Sequence, residues 1–148
     1  VGGLLGRPLT LHNNTNGALM FESMRASEAE IAERNERAAK VAEALASAGF
    51  VVQQNVDQET EIQGAMVSVD PAGDSSGGVF VQWNASSSLN ESAAKNALEG
   101  GIDSPIFRHF SLVVEQMHAT LIAILGSAGF DAVDADDDMN PHLIRVNP

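Results

Sequence analysis

The chain has 148 residues, no cysteine, and a formal net charge of −12 from 20 acidic and eight basic side chains. Lacking thiols, it can form no disulfide, thiolate metal site or cysteine nucleophile. Between Val41 and Phe107 the only basic residue is Lys95, so no phosphate-binding patch can be assembled there, and neither nucleic acid nor an anionic membrane is an expected partner.

The length suits one domain with a real core, and 44% hydrophobic residues argue against global disorder. The longest apolar stretch, Ile106 to Leu125, is interrupted by Arg108, His109, Glu115, Gln116 and His118. It therefore falls short of the roughly 18 apolar residues a bilayer span requires. Val1 to Leu11 lacks the charged start and long apolar core of a signal peptide. The composition fits the cytoplasm, while a start without Met is compatible with a removed leader and leaves secretion open.

Residues 1–24 read as an N-terminal arm or hairpin. Pro8 to His12 and Ala18 to Phe21 are strand-like, and Asn13 to Gly17 between them is turn chemistry. Residues 25–148 read as a single α+β domain.

A helix is predicted from Ser27 to Ala48. Ser27 and Glu30 have capping-box spacing. Glu30–Arg34, Glu33–Arg37 and Glu36–Lys40 are acid-to-base pairs at i,i+4, each adding about 0.2–0.5 kcal/mol. Gly49 stops the helix. Strands are predicted over Phe50 to Val56, Glu61 to Asp70 and Gly78 to Ala85, and their short connections favour antiparallel pairing. A short helix capped by Ser88 and Glu91 follows, ending at Gly100-Gly101. Ser104-Pro105 opens a second long helix running to about Ala128, apolar over more than one stripe, as in a deep core helix or a subunit interface. Phe130 to Ala135 and His142 to Val146 are the last strands.

One junction occurs twice. Leu45-Ala46-Ser47-Ala48-Gly49-Phe50 recurs as Leu125-Gly126-Ser127-Ala128-Gly129-Phe130, and the strands beyond end alike in Val69-Asp70-Pro71 and Val146-Asn147-Pro148. This suggests an internal duplication of a helix–strand–strand unit, with related units at about 27–85 and 104–148. The expected architecture is a mainly antiparallel sheet with two long helices packed against it, in the order α-β-β-β-α-β-β, with the short helix before the second long one. This element order resembles that of the small proteins grouped with type III secretion chaperones. The resemblance, which rests on order alone, implies a chaperone-like interaction fold.

No residue pattern names a reaction. Asp134, Asp136 and Asp138 have the 1, 3, 5 spacing that opens a calcium loop. Met139 stands where that loop needs Gly, however, and Arg145 where it needs a bidentate Glu. The stretch reads instead as a polar turn, and no metal or other cofactor is assigned. Glu115 and His118 have Glu-x-x-His spacing, but the second such pair of a di-iron site is missing. His109 and His118 lie on nearly opposite faces of their helix and cannot share an ion. There is no Gly-x-Ser-x-Gly, no His-Glu-x-x-His and no phosphate loop.

Trp83, the only tryptophan, shares strand parity with Val79 and Val81, so it reads as core or as a partner anchor. Asn84 and His142, near strand ends, are placed to line a cleft. The expectation is therefore a non-enzymatic protein-interaction module acting as a homodimer, whose ligand or partner surface includes Trp83, Phe107, Leu112, Ile122 and His142. The alternative is a small-ligand-binding domain or small enzyme with its pocket between sheet and helices.

Overall fold

The computed structural model describes residues 24–54 and 63–148. The expected N-terminal arm or hairpin lies, but for Met24, outside the described residues. The described chain is α+β, with three helices and a mixed five-stranded sheet. In chain order the elements are α1 (Glu28–Ser47), β1 (Val52–Gln54), β2 (Gly64–Asp70), β3 (Gly78–Asn84), α2 (Ser87–Glu99), α3 (Pro105–Ser127), β4 (Ala132–Asp134) and β5 (Ile144–Val146).

Local chemistry sets the helix ends. Ser27 caps α1, its Oγ accepting the Glu30 N–H while the Glu30 carboxylate accepts the Ser27 N–H at 2.9 Å. That bond, followed by the one from the Ser27 hydroxyl, holds the Glu30 carboxyl below its ordinary value of 4.5. Ser104 caps α3 through the Phe107 N–H, with Pro105 in the first turn. The cap of α2 is Ser86, two residues before the expected Ser88. Any of the three consecutive serines can cap, and Ser86 is the one whose Oγ accepts the Leu89 N–H, at 3.4 Å, while Asn90 Nδ2 donates to the Ala85 carbonyl at 3.0 Å.

The repeated junction has one geometry in both places. Gly49 and Gly129 take φ of 96° and 94°, a left-handed conformation that glycine adopts without penalty. Phe50 N–H returns to the Leu45 carbonyl at 3.1 Å, and Phe130 N–H to that of Leu125 at 3.0 Å. These hydrogen bonds satisfy helix-end carbonyls. The sheet order is β1-β2-β3-β5-β4, so the strands issuing from the two junctions occupy opposite edges.

The pairings differ between the two halves. β4 is antiparallel to β5, but β1 runs parallel to β2, in register Val52↔Ala65. This corrects the expected antiparallel pairing. Only three residues of β1 are paired, so the chain between Gln54 and Gly64 needs to return only about 10 Å, well within the reach of nine residues at roughly 3.3 Å each. The short helix expected before the second long one is α2, 13 residues long and packed mainly against α3.

The long helices cover one face of the sheet. Val41 and Leu45 of α1 and Leu121 and Leu125 of α3 meet Ala65, Val67, Val79, Val81, Ile144 and Val146 in a single core. Each fully buried aliphatic side chain contributes about 1.5–3 kcal/mol. Only Leu121 and Leu125 of α3 are fully enclosed. The first half of this helix extends past the core and leans on α2, with Leu112 55% exposed. Despite the polar interruptions that argued against a span, an 18-residue window of α3 is apolar enough in composition, and the helix long enough, to cross a membrane, a test that core helices of soluble proteins also pass.

Candidate functional site

The far end of β3 runs beneath the first half of α3 and opens a cleft of about 350 Å³. Its α3 wall is Phe107, Phe110, Ser111 and Val114, which fall at i, i+3, i+4 and i+7 on one helix face. The β3 end supplies Gln82, Trp83, Asn84 and Ala85 to the floor, with Asn90 from α2. The 140–142 turn, ending in His142, closes the remaining side. None of the twelve lining residues is Asp, Glu, Lys or Arg.

Two nitrogens here are left without a hydrogen bond. Trp83 Nε1 and Asn84 Nδ2 are both closed to water and find no acceptor within the protein. An indole nitrogen can only donate. Such a buried, unmatched donor costs about 1–3 kcal/mol. Phe50 holds the Trp83 ring edge-on, at 6.1 Å between centroids and 76° between planes, so the indole is fixed by packing. Trp83 and Asn84 also border a smaller cleft of about 280 Å³ against Gly49, Phe50 and Val51.

Beside the first cleft lies a chain of polar rings. His142 meets His118 edge-on at 5.7 Å. His118 Nε2 lies 3.1 Å from Asp134 Oδ2, though not aligned as a hydrogen bond. His118 thus turns toward the sheet edge and not toward Glu115, its sequence-spacing partner. Among the described residues no group of three or more His, Asp or Glu side chains is placed to hold a metal ion.

The structure brings Trp83, Phe107 and His142 together in the cleft. Leu112 lies on the outer side of α3, and Ile122 packs against the core. Asp134, Asp136 and Asp138 belong to a turn region whose carboxylates largely cap their own backbone: Asp134 Oδ1 accepts the Asp136 N–H at 2.7 Å, and Asp137 Oδ1 that of Met139 at 2.8 Å. Sequence reasoning did not single out Phe110, Ser111, Val114 or Asn90. The 107, 110, 111, 114 spacing was the available signal, masked because the whole helix is apolar.

A second depression, about 760 Å³, lies on the sheet face opposite the helices, between the 70–76 and 135–143 segments. Its Arg145 guanidinium is already committed to the Gly77 and Ser75 carbonyls.

Comparison with family models, with curated proteins and with solved structures finds no match for the chain. The likeness to secretion chaperones therefore remains one of element order.

Proposed function

We propose that this chain is a non-enzymatic protein-interaction module, secretion-chaperone-like in its element order, that acts as a homodimer through the outer side of the α2–α3 hairpin. The observation that carries this reading is the apolar surface left there: Leu98 is 89%, Ile102 69% and Leu112 55% exposed. Three of the seven exposed large apolar side chains among the described residues lie on this hairpin, which favours an interaction surface there. A second copy is the favoured occupant because of charge. With a net charge of −12, two chains repel wherever carboxylates face each other. On α3 itself, residues 104–114 contain no carboxylate and one cation, Arg108, so copies can approach along that stretch with less of that penalty than beside Glu99 and Asp103.

Light scattering across a concentration series tests the reading. A dimer that Leu112→Asp converts to monomer, with the circular dichroism spectrum unchanged, is the expected outcome. A strict monomer at every concentration overturns it.

A second reading, a small-ligand-binding domain with its pocket between sheet and helices, is favoured by the uncharged, aromatic-lined cleft between β3 and α3.

A further inference from the structure

We propose that the second copy docks antiparallel across the first half of α3, about a two-fold axis beside Leu112, so that Arg108 of each copy meets the partner's Glu115. This rests on the homodimer reading and adds the arrangement of the two chains.

Helical spacing gathers the patch. Arg108, Leu112, Glu115 and Ala119 follow one another at intervals of four, three and four residues, so they form one stripe along α3. All four are exposed, Leu112 by 55%. The stripe lies on the part of the helix that precedes the enclosed Leu121 and Leu125.

Its charges are unspent within the protomer. Among the described residues neither Arg108 nor Glu115 makes a hydrogen bond or an ion pair. They cannot pair with each other, because seven residues of helix separate them by about 10 Å of axial rise. Nor has either an opposite charge three or four positions away. Arg108 has Ser104, Pro105, Ser111 and Leu112 there, and Glu115 has Ser111, Leu112, Ala119 and His118, the last turned to Asp134.

A second copy of α3 supplies both missing partners, but in one direction only. In an antiparallel two-fold pair, a residue before the axis faces the residue equally far beyond it. An axis between positions 111 and 112 brings Arg108 opposite the partner's Glu115, and symmetry forms that pair twice. Leu112 then lies against the partner's Leu112. On the stripe from 105 to 118, Arg108 and His109 precede Leu112 and the one carboxylate, Glu115, follows it, so the segment complements its own reverse. A parallel pair would set arginine against arginine and glutamate against glutamate, which repulsion disfavours.

The chain has no cysteine, so single cysteines on the stripe read the arrangement directly. At a concentration where light scattering shows the dimer, Leu112→Cys is expected to cross-link two copies through a short bis-maleimide. Ala119→Cys is expected to cross-link at least about tenfold less, because antiparallel helices hold the two 119 positions about 20 Å apart. Arg108→Glu is expected to raise the dimer dissociation constant about tenfold, and adding Glu115→Arg to return it to within about threefold of the original. Circular dichroism and a thermal melt confirm that each variant folds.

Cross-linking at both positions means a parallel pair and overturns the arrangement while leaving the homodimer. A dimer that cross-links at neither position, or that the charge reversals leave unchanged or unrestored, also overturns it and leaves the homodimer. A monomer at every concentration overturns both.

Discussion

The Arg145 guanidinium lies over the Phe80 ring, 4.7 Å from its centroid, on the sheet face that no described helix covers. Phe80 is only 7% exposed there. Its cover comes partly from this arginine, whose Nη1 and Nη2 also donate to the Gly77 and Ser75 carbonyls at 3.0 and 2.7 Å. From the other side, Arg34 Nη1 donates to the Asp70 and Ala72 carbonyls at 2.8 and 2.7 Å. Two of only eight basic residues are thus used to fasten one β2–β3 connection.

Arg145→Ala should therefore cost about 2–3 kcal/mol in urea unfolding, with an unchanged denaturant slope, because it removes both charged hydrogen bonds and the ring contact. Arg145→Lys should recover less than half of that. A lysine ammonium cannot cover the ring with a flat group while donating to two carbonyls in a fixed fork.

Helix α3 should respond very differently along its length. Leu121→Ala or Leu125→Ala opens a hole in the shared core and should cost about 2–5 kcal/mol. Leu112→Ala, on the exposed side, should change protomer stability by less than about 0.5 kcal/mol. Chemical denaturation at low protein concentration, where association does not contribute, distinguishes the two.

The glycines of the junction and of the parallel pair separate two kinds of constraint. A Cβ at Gly49 or Gly129 meets nothing within 4 Å, so alanine there should cost only the left-handed backbone penalty, about 1 kcal/mol each and close to additive in the double variant. At Gly64 a Cβ would fall on the Val51 carbonyl oxygen, which the Ala65 N–H already binds at 2.9 Å. Gly64→Ala should cost about 2 kcal/mol or more. Thermal melts of the three single variants give the comparison.

The Glu30 carboxyl is lowered by its bonds to Ser27, and Glu36 and Asp74 are lowered by bonds to Lys40 and Ser76. A depressed carboxyl stabilises the fold above its unfolded pKa and ceases to do so as pH falls through the folded one. The melting temperature should therefore drop as pH falls through and below the ordinary value of 4.5, and Glu30→Ala should show a smaller drop over that range.

The helix limits and the repeated junction could be read from the sequence because their chemistry is local. Ser27 with Glu30, Ser104 with Phe107, and Phe50 with Leu45 are bonds between residues three to five apart, so spacing alone specifies them. The same locality misled for Arg34. Its i−4 neighbour is Glu30, yet its guanidinium serves carbonyls 36 and 38 residues away, and of the three expected α1 pairs only Glu36–Lys40 forms an ion pair. The alternation of Val79, Val81 and Trp83 marked one face of β3, but which face the helices cover depended on packing the whole chain.

Tertiary structure alone decided the parallel entry of β1, the staple of Arg145 over Phe80, and the gathering of Trp83, Phe107 and His142 around one cleft. Each depends on segments far apart in the chain, positioned by burial of a common core. Sequence spacing specifies a helix end because backbone geometry fixes where near neighbours lie, whereas a site built by packing has no such ruler.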